Sequence, residues 1–552
     1  MRFLLTPGRA GLVSLVLGGG LLGAALAQPP AAEPAPPVDA RDARLPEAAA
    51  PLALPYSGTP VDVSTYHYDN LRTGWNPTET DLTQASVKSA KFGVLKTLAV
   101  TGDVLAQPLL VAGFKLPDGS THDVLVVVTE TNDAYAFDAS TYATLWHVNF
   151  GAPQKAGDVG CSHVHPNYGI SATPVVVRTA PNKASLYLIS ATEPQSGVYH
   201  SFLHKLDLAN GQDLKPPVDL AASKTLSDGS TLSYSPPLQW IRAGLAFNNG
   251  SVYVAASSHC DRSAGTIAGW LMRYDATLAQ QGAFATMDTP AGYELAAFWA
   301  SGFAPAIDTD GSVFAVTGNG NFSKGGKDWG ESVLRLPATL AKVNDFFTPA
   351  SYKSLNAGDT DLGSGGVMLL PTVTGQLAPP LAVAMGKDPV LYLLDRTKLG
   401  KMTTGDAGAL QAQRLGSTGS GVWGGPAYFG GPAGGRVYYQ LSNGVLRSFA
   451  VATGATPSLT QVAQGTSTAG SGGSLPIVSS NGGLAGTGVV WLVRRRSPLQ
   501  LEAYDAEHLG APIFTANAGT WSAGTAFLTP MQANGRVYVG SSGAVTIFGL
   551  TP

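Results

Sequence analysis

One pattern of apolar and polar positions recurs along this chain. An apolar strand is followed by a short polar or glycine-rich turn, a second apolar strand ending on Asp or a substitute, and another turn. It is clearest at 384–400, where Val390-Leu391-Tyr392-Leu393-Leu394 closes on Asp395-Arg396. The same pattern is written at 134–141 (AYAFDAST), 203–211 (LHKLDLANG), 271–278 (LMRYDATL) and 501–510 (LEAYDAEHLG). Eight copies lie end to end, at 124–150, 169–211, 246–276, 303–336, 366–396, 423–454, 475–506 and 527–550. Short runs rich in β-branched and aromatic residues, punctuated by Gly, Asn and Asp, predict strands and tight turns. No amphipathic helix of ordinary length is predicted.

The spacing decides the architecture. Asp138 to Asp505 is 367 residues over six intervals, about 61 each, so eight units need about 488; Val61 to Pro552 supplies 492. A repeat of this period buries its faces only against its neighbours. The eighth copy lacks its last strand because the chain ends, and the apolar stretch 92–100 (FGVLKTLAV) is placed to supply it. The prediction is an all-β, eight-bladed propeller of four-stranded antiparallel blades, its ring closed by pairing of N- and C-terminal strands. Closure leaves only short, protected sheet edges. Asn249-Gly250, Ser442-Asn443-Gly444 and Asn534-Gly535 are suited to hairpin turns.

Composition adds the setting. Only 13% of the 552 residues are charged, with 67 Gly, 38 Pro and a net charge of −3. That leaves no basic footprint for nucleic acid and no polybasic membrane patch. Residues 1–27 read as a targeting segment: Arg2 and Arg9, the apolar run 11–26, then Ala25-Leu26-Ala27 as a small-x-small cleavage site. An uncleaved anchor is the alternative, and no later run is long enough to span a membrane. Residues 28–60 are Pro/Ala-rich and read as a disordered linker before a propeller over 61–552. An exported chain, periplasmic or secreted, is expected. Two cysteines, Cys161 and Cys260, suggest one disulfide, the alternative being two buried thiols.

The repeat resembles the PQQ (pyrroloquinoline quinone) repeat of the quinoprotein alcohol dehydrogenase-like superfamily. The residues that carry the resemblance are LWHVNFG at 145–151, TGNGNF at 317–322, DLGSGGVMLLP at 361–371, GKDPVLYLLDRTKLGK at 386–401 and the opening YHYDNLRTGWNPTET at 66–80. The resemblance implies a central funnel in which a quinone and a calcium ion sit together. The metal polarises the quinone, an aspartate takes the alcohol proton, and the quinone does the redox chemistry.

Carried over residue by residue, the pattern makes Asp361 the catalytic base, with Asp359 a second choice, and Asn319 a metal ligand. Lys387 becomes the basic residue that touches the quinone. The plain alternatives are a strand-edge Asp, a turn Asn between Gly318 and Gly320, and a Lys reaching for water. The family's metal glutamate has no clear counterpart; Asp261 is the nearest acid, and Glu193 sits at a comparable place one repeat earlier. Trp299 stands a few residues early for the tryptophan under the quinone. Where the family has His-Asp-x-Trp-Asp, this chain has Ala-Gly-Asp-Thr-Asp, and Gly363 stands where some relatives place a further acid for lanthanides. Cys161 occupies the place of adjacent cysteines that cover the quinone; here it is expected to bond to Cys260 across the funnel. Cys161, His163 and His165, with His259 and Cys260, could alternatively hold zinc or copper. No C-x-x-C-H occurs, so no covalent haem is expected, and no phosphate loop or G-x-S-x-G elbow is present.

Fold does not fix function, and three readings stay open. The first is a monomeric, non-redox propeller that binds a small molecule or an envelope protein through a remodelled funnel and needs no cofactor. The second is a PQQ- and calcium-dependent dehydrogenase of alcohols or sugars. The third is an envelope assembly scaffold.

Overall fold

The computed structural model describes residues 54–552, except 165, 262–266, 290–294 and 522–526. The targeting segment 1–27, most of the expected linker, and His165 lie outside the described residues. The last part of that linker is bound to the fold: Leu54 donates its N–H to the Leu550 carbonyl, and Tyr56 Oη donates to the Thr78 carbonyl at 2.5 Å.

Eight antiparallel sheets follow one another around a ring. The first blade comprises Leu109–Lys115, Thr121–Val128, Asp133–Asp138 and Thr144–Asn149. The next six span 175–219, 246–285, 306–347, 367–414, 427–468 and 477–519. The eighth is composite: Met531–Ala533 pairs with Arg536–Leu550, which bends at Gly543 (φ 67°) and pairs with Phe92–Asp103 from the other end of the chain. Phe92 lies opposite Leu550 and Thr97 opposite Thr546, so the predicted closing strand is in place. Helices among the described residues are no longer than six residues. None is long and apolar enough to cross a membrane.

Apolar residues collect between blades rather than inside them. Tyr253 and Leu271 of the third blade pack with Ile307 and Val313 of the fourth. Phe347 of the fourth packs with Leu394 of the fifth, and Phe429 of the sixth with Leu492 of the seventh. Each such side chain contributes roughly 1.5–3 kcal/mol by leaving water. The hairpins turn where predicted: Asn249-Gly250 (φ 46° and 76°) and Asn534-Gly535 (φ 49° and 74°) are both left-handed, as a type I′ turn demands. At 442–444 the left-handed residue is Asn443 (φ 53°).

The opening segment is the hub of this ring. Between Val63 and Asn76 it bonds to the innermost strand of every blade: Val63 with Leu110, Ser64 with Val176, Asn70 with Phe247 and Ile307, Leu71 with Leu369, Thr73 with Tyr428, Gly74 with Val478, and Asn76 with Gln532. Innermost strands expose unpaired backbone groups, and the hub satisfies some of them from within. Arg72 is fully buried there; its guanidinium donates to the carbonyls of Pro305, Tyr66 and Asp69 and to Thr65 Oγ1, each at 2.9 Å.

Connectivity then sorts the loops. In an antiparallel four-stranded blade, the segment entering strand one and the connection from strand two to strand three must end on the same face. Trp240, Trp299, Asp361, Trp423 and Phe527 lie on entering segments; Cys260, Asn319, Lys387 and Arg495 lie on two-to-three connections. All reach one rim.

Candidate functional site in the funnel

At that rim a cavity of about 360 Å³ is lined by His163, Trp240, Ser257, Ser258, Cys260, Asp261, Trp299, Asn319, Asp359 and Lys387. Lys387 is its organising charge. The strand Val390–Asp395 is anchored in the core, and the turn before it delivers the ammonium to the funnel. Lys387 Nζ lies 2.8 Å from Asp361 Oδ1 and 2.7 Å from Asp359 Oδ1, and 5.4 Å from the centre of the Trp299 ring. Asp361 is 1% exposed, and its Oδ2 accepts from Trp299 Nε1 at 2.7 Å. Asn319 Nδ2 donates to Asp359 Oδ1 at 2.8 Å, while Asn319 Oδ1 is buried without a hydrogen-bond partner. Gly318 permits this closeness: a Cβ there would stand 2.7 Å from Asp361 Oδ2.

Among the described residues, acid outnumbers base at this point. Burial would lower the Lys387 ammonium, but Asp361 and Asp359 outweigh it and hold it above its ordinary value. Burial first and Asp361 second push Asp261 upward; Asp261 also accepts from Ser258 Oγ.

A fourth carboxylate was not foreseen from the sequence. Glu331 is fully buried in a left-handed conformation (φ 54°). Its Oε2 accepts from Leu362 N at 2.7 Å and its Oε1 has no hydrogen-bond partner. Burial, then repulsion from Asp361, raise it well above the usual carboxylate range. The signal was an acid leading into the apolar strand Val333–Leu336. Trp240 was also missed, although it precedes its blade much as Trp299 and Trp423 precede theirs. Glu193 stands outside the cavity lining, accepting from the backbone of Lys155 and Gly197.

Cys161 and Cys260 are joined in a disulfide, Cα to Cα 5.4 Å, in the cavity wall. The donor atoms of Cys161, His163 and Cys260 lie within 4.8 Å of one another, but both sulfurs belong to the bond and neither is a thiolate. His259 is buried and stacks on Trp240.

Beside this wall, Glu130 is buried, its Oε2 accepting from Gly169 N and Ser171 Oγ at 2.8 Å each. Burial pushes it up to about 7 from 4.5. The folded state therefore holds this proton longer than the unfolded chain, and stability falls as pH rises from the unfolded value through 7. Glu130→Gln is expected to remove roughly 3 kcal/mol of that fall. Urea melts at pH 5 and pH 8 measure it; an unchanged difference between the two pH values would refute the assignment.

No protein-family model matches the sequence, nor does any curated relative. Solved structures do match the fold. A quinohemoprotein alcohol dehydrogenase from Comamonas testosteroni is similar with a TM-score of 0.58 and 14% identity, over 88% of this chain and 80% of its own. The fold is that of the quinoprotein alcohol dehydrogenases. A quinohemoprotein alcohol dehydrogenase from Pseudomonas putida HK5 gives 0.57 and 14% over 89% and 80%, and a europium-containing methanol dehydrogenase gives 0.59 and 12% over 89% and 98%.

The residues present fit the groups such a fold implies. Asn319 Oδ1 and Glu331 Oε1 are buried oxygens without partners, and with Asp361 they make a hard donor set suited to calcium. Trp240 and Trp299 offer apolar faces to a planar ring, and Lys387 a cation. A side chain at Gly363 would stand 2.2 Å from Gly318 N, so a further acid at that position has no room.

Proposed function

We propose that this chain is an exported propeller that binds a small polar molecule in its funnel without oxidising it. One observation carries this reading. Asp361 already has both oxygens engaged, Oδ1 by Lys387 and Oδ2 by Trp299, and lies almost wholly beneath the cavity surface. To act as a base toward an alcohol it would have to give up one of these partners and come to the surface.

A second reading, a quinone-dependent dehydrogenase, is favoured by the unpartnered oxygens of Asn319 and Glu331 beside Asp361. Those three residues would hold the cation, and Lys387 and the tryptophans the quinone. Bound there, the quinone would supply the two-electron chemistry.

Calorimetry with PQQ, with and without Ca²⁺, followed by dye reduction on a panel of alcohols and sugars, separates the two. The expected result is no PQQ-dependent dye reduction. Reduction that disappears in Asp361→Asn while PQQ remains bound would overturn the first reading in favour of the second.

A further inference from the structure

Two arginines at the centre of the funnel, Arg242 buried and Arg495 half-buried, have no acid at ion-pair distance among the described residues, unlike most arginines taken out of water. Arg242 enters from the third blade and is 2% exposed; Arg495 comes from the opposite side of the ring, on the seventh. Their guanidinium carbons lie 5.7 and 5.3 Å from the centre of the same ring, Phe527, which is flanked by Trp299 and Trp423. Arg242 Nη2 donates to the carbonyls of Ser301 (3.1 Å) and Phe527 (3.4 Å), but its Nε has no hydrogen-bond partner, nor has Arg495 Nη2.

Two other arginines in the interior are answered by acids. Arg494, next along the chain, pairs with the buried Glu502 at 2.9 Å, and Arg396 pairs with Asp308 at 2.9 Å. Arg72 donates to four oxygens of the hub, although its Nη2 also has no hydrogen-bond partner. Among the described residues, Glu130 is the acid that acts on Arg242, from beyond ion-pair distance and with Oε2 already occupied. Burial alone acts on the Arg495 guanidinium, with no carboxylate beside it among the described residues.

The surroundings are shaped around these two groups. A Cβ at Gly302 (φ 94°) would stand 2.4 Å from Arg242 Nη1, and one at Gly472 (φ 85°) 2.7 Å from Arg495 Nη2. At Gly472 the Trp423 indole is nearer still, at 2.5 Å, and the positive φ of both glycines favours glycine there in its own right.

We infer that Arg242 and Arg495 form an oxyanion subsite at the funnel centre, which takes a carboxylate or phosphate group of the ligand. The inference deepens the small-molecule reading above and rests on it. A planar guanidinium offers paired N–H donors that match either group, and burial beside aromatic rings strengthens the attraction. The ligand class is a small anion with an apolar body, the anion toward Phe527 and the body against Trp240 and Trp299.

The test titrates the whole protein with inorganic phosphate, benzoate and uncharged benzamide, read by tryptophan fluorescence and calorimetry. Phosphate and benzoate are expected to saturate one site and benzamide to bind at least tenfold more weakly than benzoate. Arg495→Gln is expected to weaken both anions at least tenfold, with partial recovery in Arg495→Lys. Arg495 is the informative position, since Arg242 also holds two backbone carbonyls and its loss could loosen the fold. Equal binding of benzamide and benzoate would overturn the subsite while leaving a small-molecule funnel standing. Anion binding unchanged in Arg495→Gln would overturn it too. Failure of all three probes would overturn the subsite and count against the funnel reading itself.

Discussion

Reduction of the Cys161–Cys260 bond is expected to lower the stability of the propeller by about 4–5 kcal/mol. The bond spans 99 residues, and closing a loop of that length removes much freedom from the unfolded chain. For a domain of this size the loss corresponds to a fall of roughly 4–5 °C in Tm. The bond also has local work in the funnel. It ties the segment entering the second blade to the two-to-three connection of the third, beside Trp240 and Asp261. Tyr168 Oη donates to Cys161 Sγ at 3.0 Å, and its ring meets those of Trp240 and His259 edge-on. Cys161→Ser/Cys260→Ser should therefore lose funnel ligand binding in addition to stability. Scanning calorimetry of oxidised and reduced protein, with thiols counted, is the measurement. An unchanged Tm in fully reduced protein would show that the ring alone fixes these loops.

The blades were legible in the sequence because their information is local. A strand such as Val390–Asp395 states its own face, length and turn, and eight such statements at a common period leave little choice of architecture. Ring closure was legible by subtraction, since the eighth copy lacked a strand and 92–100 supplied one. The hub was not legible. Residues 63–76 bond to eight strands scattered over more than four hundred positions, and nothing in YHYDNLRTGWN repeats at a strand period. In the funnel, Asp361, Lys387, Asn319 and Cys161 could be named because each stands beside a motif. Glu331 could not: its burial depends on Leu362, which meets it only once the fourth and fifth blades are side by side. The unpaired state of Arg242 and Arg495 was hidden for the same reason, because an arginine's missing partner is a fact of the whole ring.

Lys387→Met is expected to destabilise the protein by about 3–4 kcal/mol. Methionine keeps most of the volume of the stem, so the loss is one of charge rather than packing. The change leaves Asp361, 1% exposed, beside Glu331 and Asp261 with no other cation paired to it among the described residues. Asp359 adds little to the cost, because its carboxylate is 72% exposed and water replaces the ammonium there. If the cost is the unpaired buried carboxylate, neutralising that carboxylate should recover it: Lys387→Met/Asp361→Asn is expected to be more stable than Lys387→Met alone, with a coupling energy of about 2 kcal/mol in the double-mutant cycle. The sign of the pH dependence follows from the raised ammonium. Its contribution is complete below the unfolded lysine value of 10.5 and is lost as pH rises through the folded one, so wild type and Lys387→Met converge only in strong alkali. Urea melts of the four proteins at pH 7 decide the matter. A Lys387→Met protein as stable as wild type would mean that the acids of the funnel hold one another in check by sharing protons, and that Lys387 is free to serve a ligand.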